Sequence, residues 1–362
     1  MKFEISTTKF QELLNKASKC TAHDSMARDR RITTHVGVEL KDGVLSLTTT
    51  DGTNCLFVSE PNVVGEDFYF MTEIDRFLKL VSKITSDTVV VELSDKYAII
   101  RGNGTYKLEV TVEGGEIAKY PVSSDPLSGL NKIGEVSLAD IKTILAGVKP
   151  SLEVKDDSIP FYKHYYVGDI VIGTDMVKAS TYKKKLLDDT PRLVNVNMMN
   201  LLGMMTEETI EAYADATSLG FKGDNCMIYG VMPSGLGDFN VAGVESLLSQ
   251  EYPIGCKLNR SELVGALDRI KLFVNPFDDG VITLHFTDKE LTIASKMTNG
   301  IESVTYVTPI DDGTDFTCSI EINHLFNNIY SQVSNIVNIE FGLENVIKLI
   351  DEDIVSIIAL AV

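Results

Sequence analysis

The residues best suited to chemistry are scattered along the chain. Three acidic pairs, Asp188-Asp189, Asp278-Asp279 and Asp311-Asp312, have the composition of a divalent-metal site for cleaving nucleic acid. Each falls between regular elements, where such pairs usually serve turns and surfaces. The cysteines (Cys20, Cys55, Cys226, Cys256, Cys318) are odd in number and widely spaced, without CxxC spacing. They read as buried free thiols rather than a zinc site or a disulfide framework. The histidines (His23, His35, His164, His285, His324) form no HExxH array. Gly102-Asn103-Gly104 and Ser234-Gly235-Leu236-Gly237 lack the following GK[ST] of a phosphate loop. The reading is a chain that catalyses no reaction and holds neither cofactor nor metal.

Charge is more informative. The chain carries 33 basic and 52 acidic residues, a net −19. That total opposes nucleic-acid binding unless the basic residues share one face. They do cluster, on segments with helical spacing. Lys9, Lys16 and Lys19 accompany Glu12, and Arg76, Lys79 and Lys83 accompany Asp75. Lys142 and Lys149 accompany Asp140, while Arg260, Arg269 and Lys271 outnumber Glu262 and Asp268. Each of these helices is net positive, so the rest of the chain is more acidic than the total. Two further runs, Arg28-Asp29-Arg30-Arg31 and Lys183-Lys184-Lys185, are basic; such a run is often only a solvated face. Lys9, Lys16, Lys19, Arg28, Arg30, Arg31, Arg76, Lys79, Lys83, Lys142, Lys149, Lys183, Lys184, Arg260 and Arg269 are the candidate phosphate contacts. Such contacts hold a duplex without reading its bases.

The elements that must position these cations come in three copies, at a period of roughly 120–130 residues, about one domain each. A short strand, a polar cap and an amphipathic helix occur at Phe3–Leu14, Val136–Leu145 and Lys257–Leu267. Phe10, Leu13 and Leu14 have the spacing of one buried helix face, as do Ile141, Ile144 and Leu145, and Leu263, Ala266 and Leu267. An alternating strand follows at Val44–Asp51, Asp169–Asp175 and Glu290–Ser295. A strand leading into a second helix starts at Tyr69, Arg192 and Phe316, and the second helices at Asn197–Met205 and Asn323–Val333 are uncharged. A hairpin closes each copy, at Val89–Val110, Ile210–Val231 and Val337–Val362. Glu113–Gly134 and Pro233–Gly255 are rich in Gly, Pro and Ser and read as linkers. The predicted fold is α+β: three repeated domains over 1–120, 130–245 and 255–362, each with two helices on antiparallel sheet. Three unrelated α+β domains would give a similar alternation.

Composition agrees with this size. At 362 residues and 44% hydrophobic, the chain has apolar material for two or three cores. It contains no apolar run of about 18 residues, and an acid stands where a signal peptide needs an apolar stretch, so a cytoplasmic location is expected.

With these features in order, the chain resembles the bacterial-type sliding clamp, the β subunit of DNA polymerase III, along essentially its whole length. Asp42-Gly43-Val44-Leu45-Ser46-Leu47-Thr48-Thr49-Thr50-Asp51 is similar to that family's first-domain DG-x-L-x-L-x-x-TD segment. Gly173-Thr174-Asp175 resembles its second-domain TDG-x-RL stretch. The opening MKFEISTTKFQELL and the apolar run Ile357-Ile358-Ala359-Leu360-Ala361-Val362 fit as well. The resemblance implies a processivity factor: a head-to-tail homodimeric ring of six domains with helices around double-stranded DNA. It implies a dimer contact between an edge strand at Tyr106 and Leu108 and the region of Leu272 and Phe273. It also implies an apolar pocket that takes short linear peptides from the polymerase and the clamp loader. By position, that pocket would use Tyr162, Thr174, Met176, Val177, Lys178, Ala179, Leu248, Ile357, Ala359 and Leu360.

Departures reshape the implied site. The family's Gly-His-Arg-Leu is Met176-Val177-Lys178-Ala179 here, and its Met-Pro-Met-Arg-Leu-like ending is Ala359-Leu360-Ala361-Val362. The basic loop at Asn197-Met198-Met199-Asn200 has lost its Arg and Lys. These changes fit a divergent clamp of the kind a phage or mobile element carries. Two other readings remain: a clamp-like scaffold with no DNA in its hole, and a metal-dependent nucleic-acid enzyme built on the acidic pairs.

Overall fold

A computed structural model describes residues 1–22, 31–122, 125–152, 163–275, 280–297, 299–308, 310–311, 313–343 and 345–361. Among these, seven α-helices accompany antiparallel sheet throughout. The helices are α1 (Thr7–Ala17), α2 (Ile74–Val81), α3 (Leu138–Gly147), α4 (Val196–Leu202), α5 (Val241–Ser249), α6 (Arg260–Lys271) and α7 (Ile322–Tyr330). Among the described residues, no helix is long and apolar enough to cross a membrane.

The repeated order is visible element by element. Strands Lys2–Ser6, Asn131–Ser137 and Ile254–Asn259 lead into α1, α3 and α6. Strands Phe68–Glu73, Arg192–Asn195 and Asp315–Glu321 lead into α2, α4 and α7. What reads as a hairpin at the end of each copy is a meander of three strands. The meanders are Thr88–Ser94, Tyr97–Arg101 and Thr105–Glu109; Thr209–Ala214, Ser218–Lys222 and Cys226–Val231; and Ile336–Phe341, Val346–Asp351 and Ile354–Ala359. One linker also differs from expectation. Pro233–Gly255 contains α5, started by Asn240, whose side chain accepts from the Gly243 N–H at 3.0 Å.

The chain forms two compact units, Met1–Leu138 with Asn197–Met232, and Ala139–Val196 with Pro233–Val362. All three boundaries fall within the middle copy, because each unit is built on an eight-stranded sheet shared by two copies. In the first unit, Cys226–Val231 of the middle copy pairs with Asn54–Glu60 of the first, from Cys226 opposite Val58 to Gly230 opposite Asn54. In the second unit, Lys178–Tyr182 pairs with Ile354–Ala359, from Lys178 opposite Ile358 to Tyr182 opposite Ile354. Pairing of this kind covers strand edges that would otherwise stand open.

The first unit's core shows how the helices are fixed. Phe10, Leu13, Leu14 and Ala17 of α1 are buried, as are Ile74, Phe77 and Val81 of α2. Phe10 meets Phe3 and Phe77 edge-on, with centroids 5.8 and 5.4 Å apart. Edge-to-face packing adds to the burial itself. With these apolar stripes turned to the sheet, the polar stripes of α1 and α2 are left facing solvent.

The second unit holds its strands together with polar as well as apolar contacts. Buried Ser180 lies 2.6 Å from both Ser151 and Ser356, hydroxyl to hydroxyl. Both Ser180 and Ser151 donate to Asn328 Oδ1, whose amide nitrogen donates to the His324 carbonyl. A buried polar network of this kind adds directional contacts that help to fix strand register.

Candidate functional site

The implied pocket lies within the second unit. It is a cavity of about 250 Å³ whose walls include Thr174, Met176, Val177, Lys178, Ala179, Ile357 and Ala359. Phe239, Asn240, Gly243, Val244, Leu247 and Val346 complete it, none of which the sequence reading named. Leu247 stands on the cavity wall where Leu248 was expected. Leu360 packs half-buried against the adjacent core instead of lining the cavity. Tyr162 lies outside the described residues. The missing wall is supplied mainly by α5, whose Val241, Val244 and Leu247 recur at three-residue spacing after the Asn240 cap, a signal present in the sequence.

A tight turn between strands Val171–Thr174 and Lys178–Tyr182 forms the opposite lip. Thr174 Oγ1 accepts from the Met176 N–H at 3.0 Å and donates to the Lys178 carbonyl at 2.8 Å. Asp175 Oδ1 accepts from the Val177 and Lys178 N–H groups at 3.0 and 2.8 Å. Asp175 Oδ2 accepts from the Lys178 ammonium, and both side chains are buried. The Lys178 charge is therefore neutralised inside the turn and not offered to a ligand. Met176 takes φ +73°, a conformation that costs a non-glycine residue about 1–2 kcal/mol. Its side chain is 74% exposed at the cavity mouth.

The candidate phosphate contacts divide into two groups. Lys9 pairs with Glu60, Lys184 with Asp353, and Arg76 with Glu73 at 3.8 Å. Arg269 makes a forked bond to Glu302, with Nε to Oε1 at 2.7 Å and an Nη to Oε2 at 3.0 Å. Arg260 donates to the Tyr330 carbonyl at 3.2 Å, and Lys149 is half-buried in a short 3-10 turn after α3. Lys16, Lys19, Lys79, Lys83, Lys142 and Lys183 are exposed and form no ion pair among the described residues. Lys9 and Lys16 on α1 and Arg76 and Lys79 on α2 stand opposite the buried stripes, and Lys19 and Lys83 follow just beyond the two helix ends. Lys16 also stands beside a cavity that includes Glu207 and Asp224. Arg28, Arg30 and the side chain of Arg31 lie outside the described residues.

The implied dimer residues are placed unequally. Tyr106 is 41% exposed on Thr105–Glu109, the outermost strand of a five-stranded sheet in the first unit. Leu108 of that strand is only 5% exposed and faces its own core, so its side chain is not offered at the surface. In the second unit Leu272 and Phe273 follow α6 and are 81% and 52% exposed.

The described members of the acidic pairs make local contacts. Asp188 binds the Arg192 guanidinium, and Asp189 binds Lys185. The Asp311 carbonyl accepts from Thr314, and Asp278, Asp279 and Asp312 lie outside the described residues. All five cysteines are free. Burial raises their thiols, to about 12 for Cys226, Cys256 and Cys318, which removes the thiolate needed for nucleophilic chemistry.

Paired helices on shared antiparallel sheets, repeated along the chain, define the fold of the DNA polymerase sliding clamps. The solved beta subunit of the DNA polymerase of Streptococcus pyogenes superposes with a TM-score of 0.84 at 16% identity, covering 100% of both chains. The DNA polymerase sliding clamp of Bacillus subtilis gives 0.85 at 17%, covering 100% of this chain and 99% of that one. The DNA polymerase III subunit beta of Borrelia burgdorferi, solved with a natural product, gives 0.85 at 16% with the same coverage. No protein-family model matches the chain, and no curated protein matches its sequence. The fold is thus that of a bacterial polymerase III beta clamp, in a strongly diverged sequence.

Proposed function

We propose that the chain is a sliding clamp: a processivity factor, not an enzyme, that encircles duplex DNA and tethers a polymerase and other replication proteins. The observation that carries this reading is the likeness of fold to solved clamps over 99–100% of both chains. Three tandem clamp domains, over 1–120, 130–245 and 255–362, form half of a head-to-tail homodimeric ring in the cytoplasm. Tyr106, Leu272 and Phe273 contribute to its closing contact. The exposed lysines of α1, α2 and α3 face phosphates, a contact that is independent of sequence and weakened by salt. The cavity beside α5 receives short peptides from the polymerase and the loader.

A second reading, a clamp-like scaffold without DNA, is favoured by one observation: α4 and α7 carry no lysine, arginine, aspartate or glutamate. Loading onto circular and linearised DNA separates the two. A clamp stays on the circle and is lost when the circle is cut. Equal loss from both forms of DNA would leave only the scaffold.

A further inference from the structure

This inference rests on the peptide-pocket reading above and concerns which peptides the pocket selects. The cavity is mainly apolar, and its volume of about 250 Å³, at the small end beside ligand pockets of roughly 300–1,000 Å³, leaves room for a pair of aliphatic side chains. The cations around it are paired: Lys348, across from the wall residue Ile357 on the neighbouring strand, is held by Glu340 at 2.9 Å. Lys178, the cation in its wall, is buried and held by Asp175. Met176 and Val177 make the exposed lip on that side without any charge. On the other side, Glu245 is exposed on α5, next to the cavity residue Val244. Phe239, also in the wall, stacks on Tyr166 with centroids 5.4 Å apart. Burial first, and then the carboxylates of Glu245 and Asp169, push the Tyr166 hydroxyl up. Asp169 is partly offset by Lys185 at 3.8 Å. Glu245 has no ion-pair partner among the described residues.

We propose that the pocket selects short peptides with an apolar anchor and a basic flank, and disfavours acidic ones. The anchor fills the cavity between α5 and the Met176 lip, while a lysine or arginine beside it meets Glu245. The attraction acts at an exposed site, so it is modest and screened by salt. Its effect is to choose among peptides whose apolar anchors bind alike.

The test uses the full-length protein and labelled peptides with one Leu-Leu anchor flanked by lysines, serines or glutamates. Fluorescence anisotropy is read at about 50 mM and about 300 mM salt, where the screening length is about 14 Å and about 6 Å respectively. The lysine-flanked peptide should bind about 5–10-fold more tightly than the glutamate-flanked one at low salt, and the gap should shrink at high salt. Glu245→Lys should narrow or invert the order without altering the serine-flanked peptide. Binding that depends on Val244→Asp but shows no charge order, or favours glutamate, overturns this inference and leaves the pocket standing. Binding by none of the peptides, or binding unaffected by Val244→Asp, removes the pocket reading and the inference with it.

Discussion

Asp175 and Lys178 neutralise each other inside a single turn: the carboxylate holds the lysine ammonium with one oxygen and two backbone N–H groups with the other. Both side chains are buried, so the pair fixes the cavity lip while hiding its charge. Position 178 is therefore a structural cation, although the sequence alone presents it as a binding residue.

Breaking this pair leaves an uncompensated buried charge, whose cost is about 3–5 kcal/mol. Lys178→Met should lower the urea midpoint of the second unit accordingly. The double variant Asp175→Asn with Lys178→Met should recover much of that loss. Equal destabilisation by the single and double variants would show that the turn hydrogen bonds, not the ion pair, hold the lip.

Met176 carries backbone strain in the left-handed region, at a ligand cavity. Met176→Gly should raise stability by about 1 kcal/mol through relief of that strain. The same change should weaken apolar peptide binding, because the thioether side chain closes the mouth. Thermal shift and anisotropy on one preparation read both effects; a gain in both would mean the methionine is not part of the binding surface.

The two groups of cations should behave differently on DNA. Replacing Lys16, Lys19, Lys79 and Lys83 with Gln should reduce retention on circular DNA. It should also flatten the salt dependence by about 0.9 log units per lost phosphate contact. Arg269→Gln should change the slope little, since Glu302 already occupies its guanidinium. A larger effect from Arg269 would reverse the assignment.

Acid should act on the second unit through Asp188. The hydrogen bond from Arg192 holds the Asp188 carboxyl below the usual carboxylate range. A depressed folded-state pKa stabilises the fold above the unfolded value of about 3.9. That stabilisation is lost as pH falls through the folded value. Asp188→Asn should therefore destabilise at neutral pH and flatten the stability curve below about pH 4. Parallel curves for the two proteins would assign the acid sensitivity to another group.

Local periodicity made much of the fold legible. The Phe10, Leu13 and Leu14 spacing gives α1 its buried face, and three strand-to-helix pairs recur in the expected order. Contacts far apart in sequence were not legible. Lys9 meets Glu60 across 51 positions and Arg269 meets Glu302 across 33, so no local rule separates held cations from free ones. Tyr106 and Leu108 share one face of their strand, yet Leu108 is buried and Tyr106 exposed, a change in cover along the strand that two-residue alternation does not give. In α5, a glycine within the helix obscured its apolar spacing, and the cavity wall went unnamed with it.

The middle copy lends its strands to two different sheets and keeps none for itself. A chain ending before Ile354–Ala359 would bare the whole length of Lys178–Tyr182 as an unpaired edge, every residue of it buried in the intact protein. Such an edge invites pairing with any neighbouring strand. Truncated or nicked forms of this protein should therefore clump rather than persist as smaller, soluble pieces.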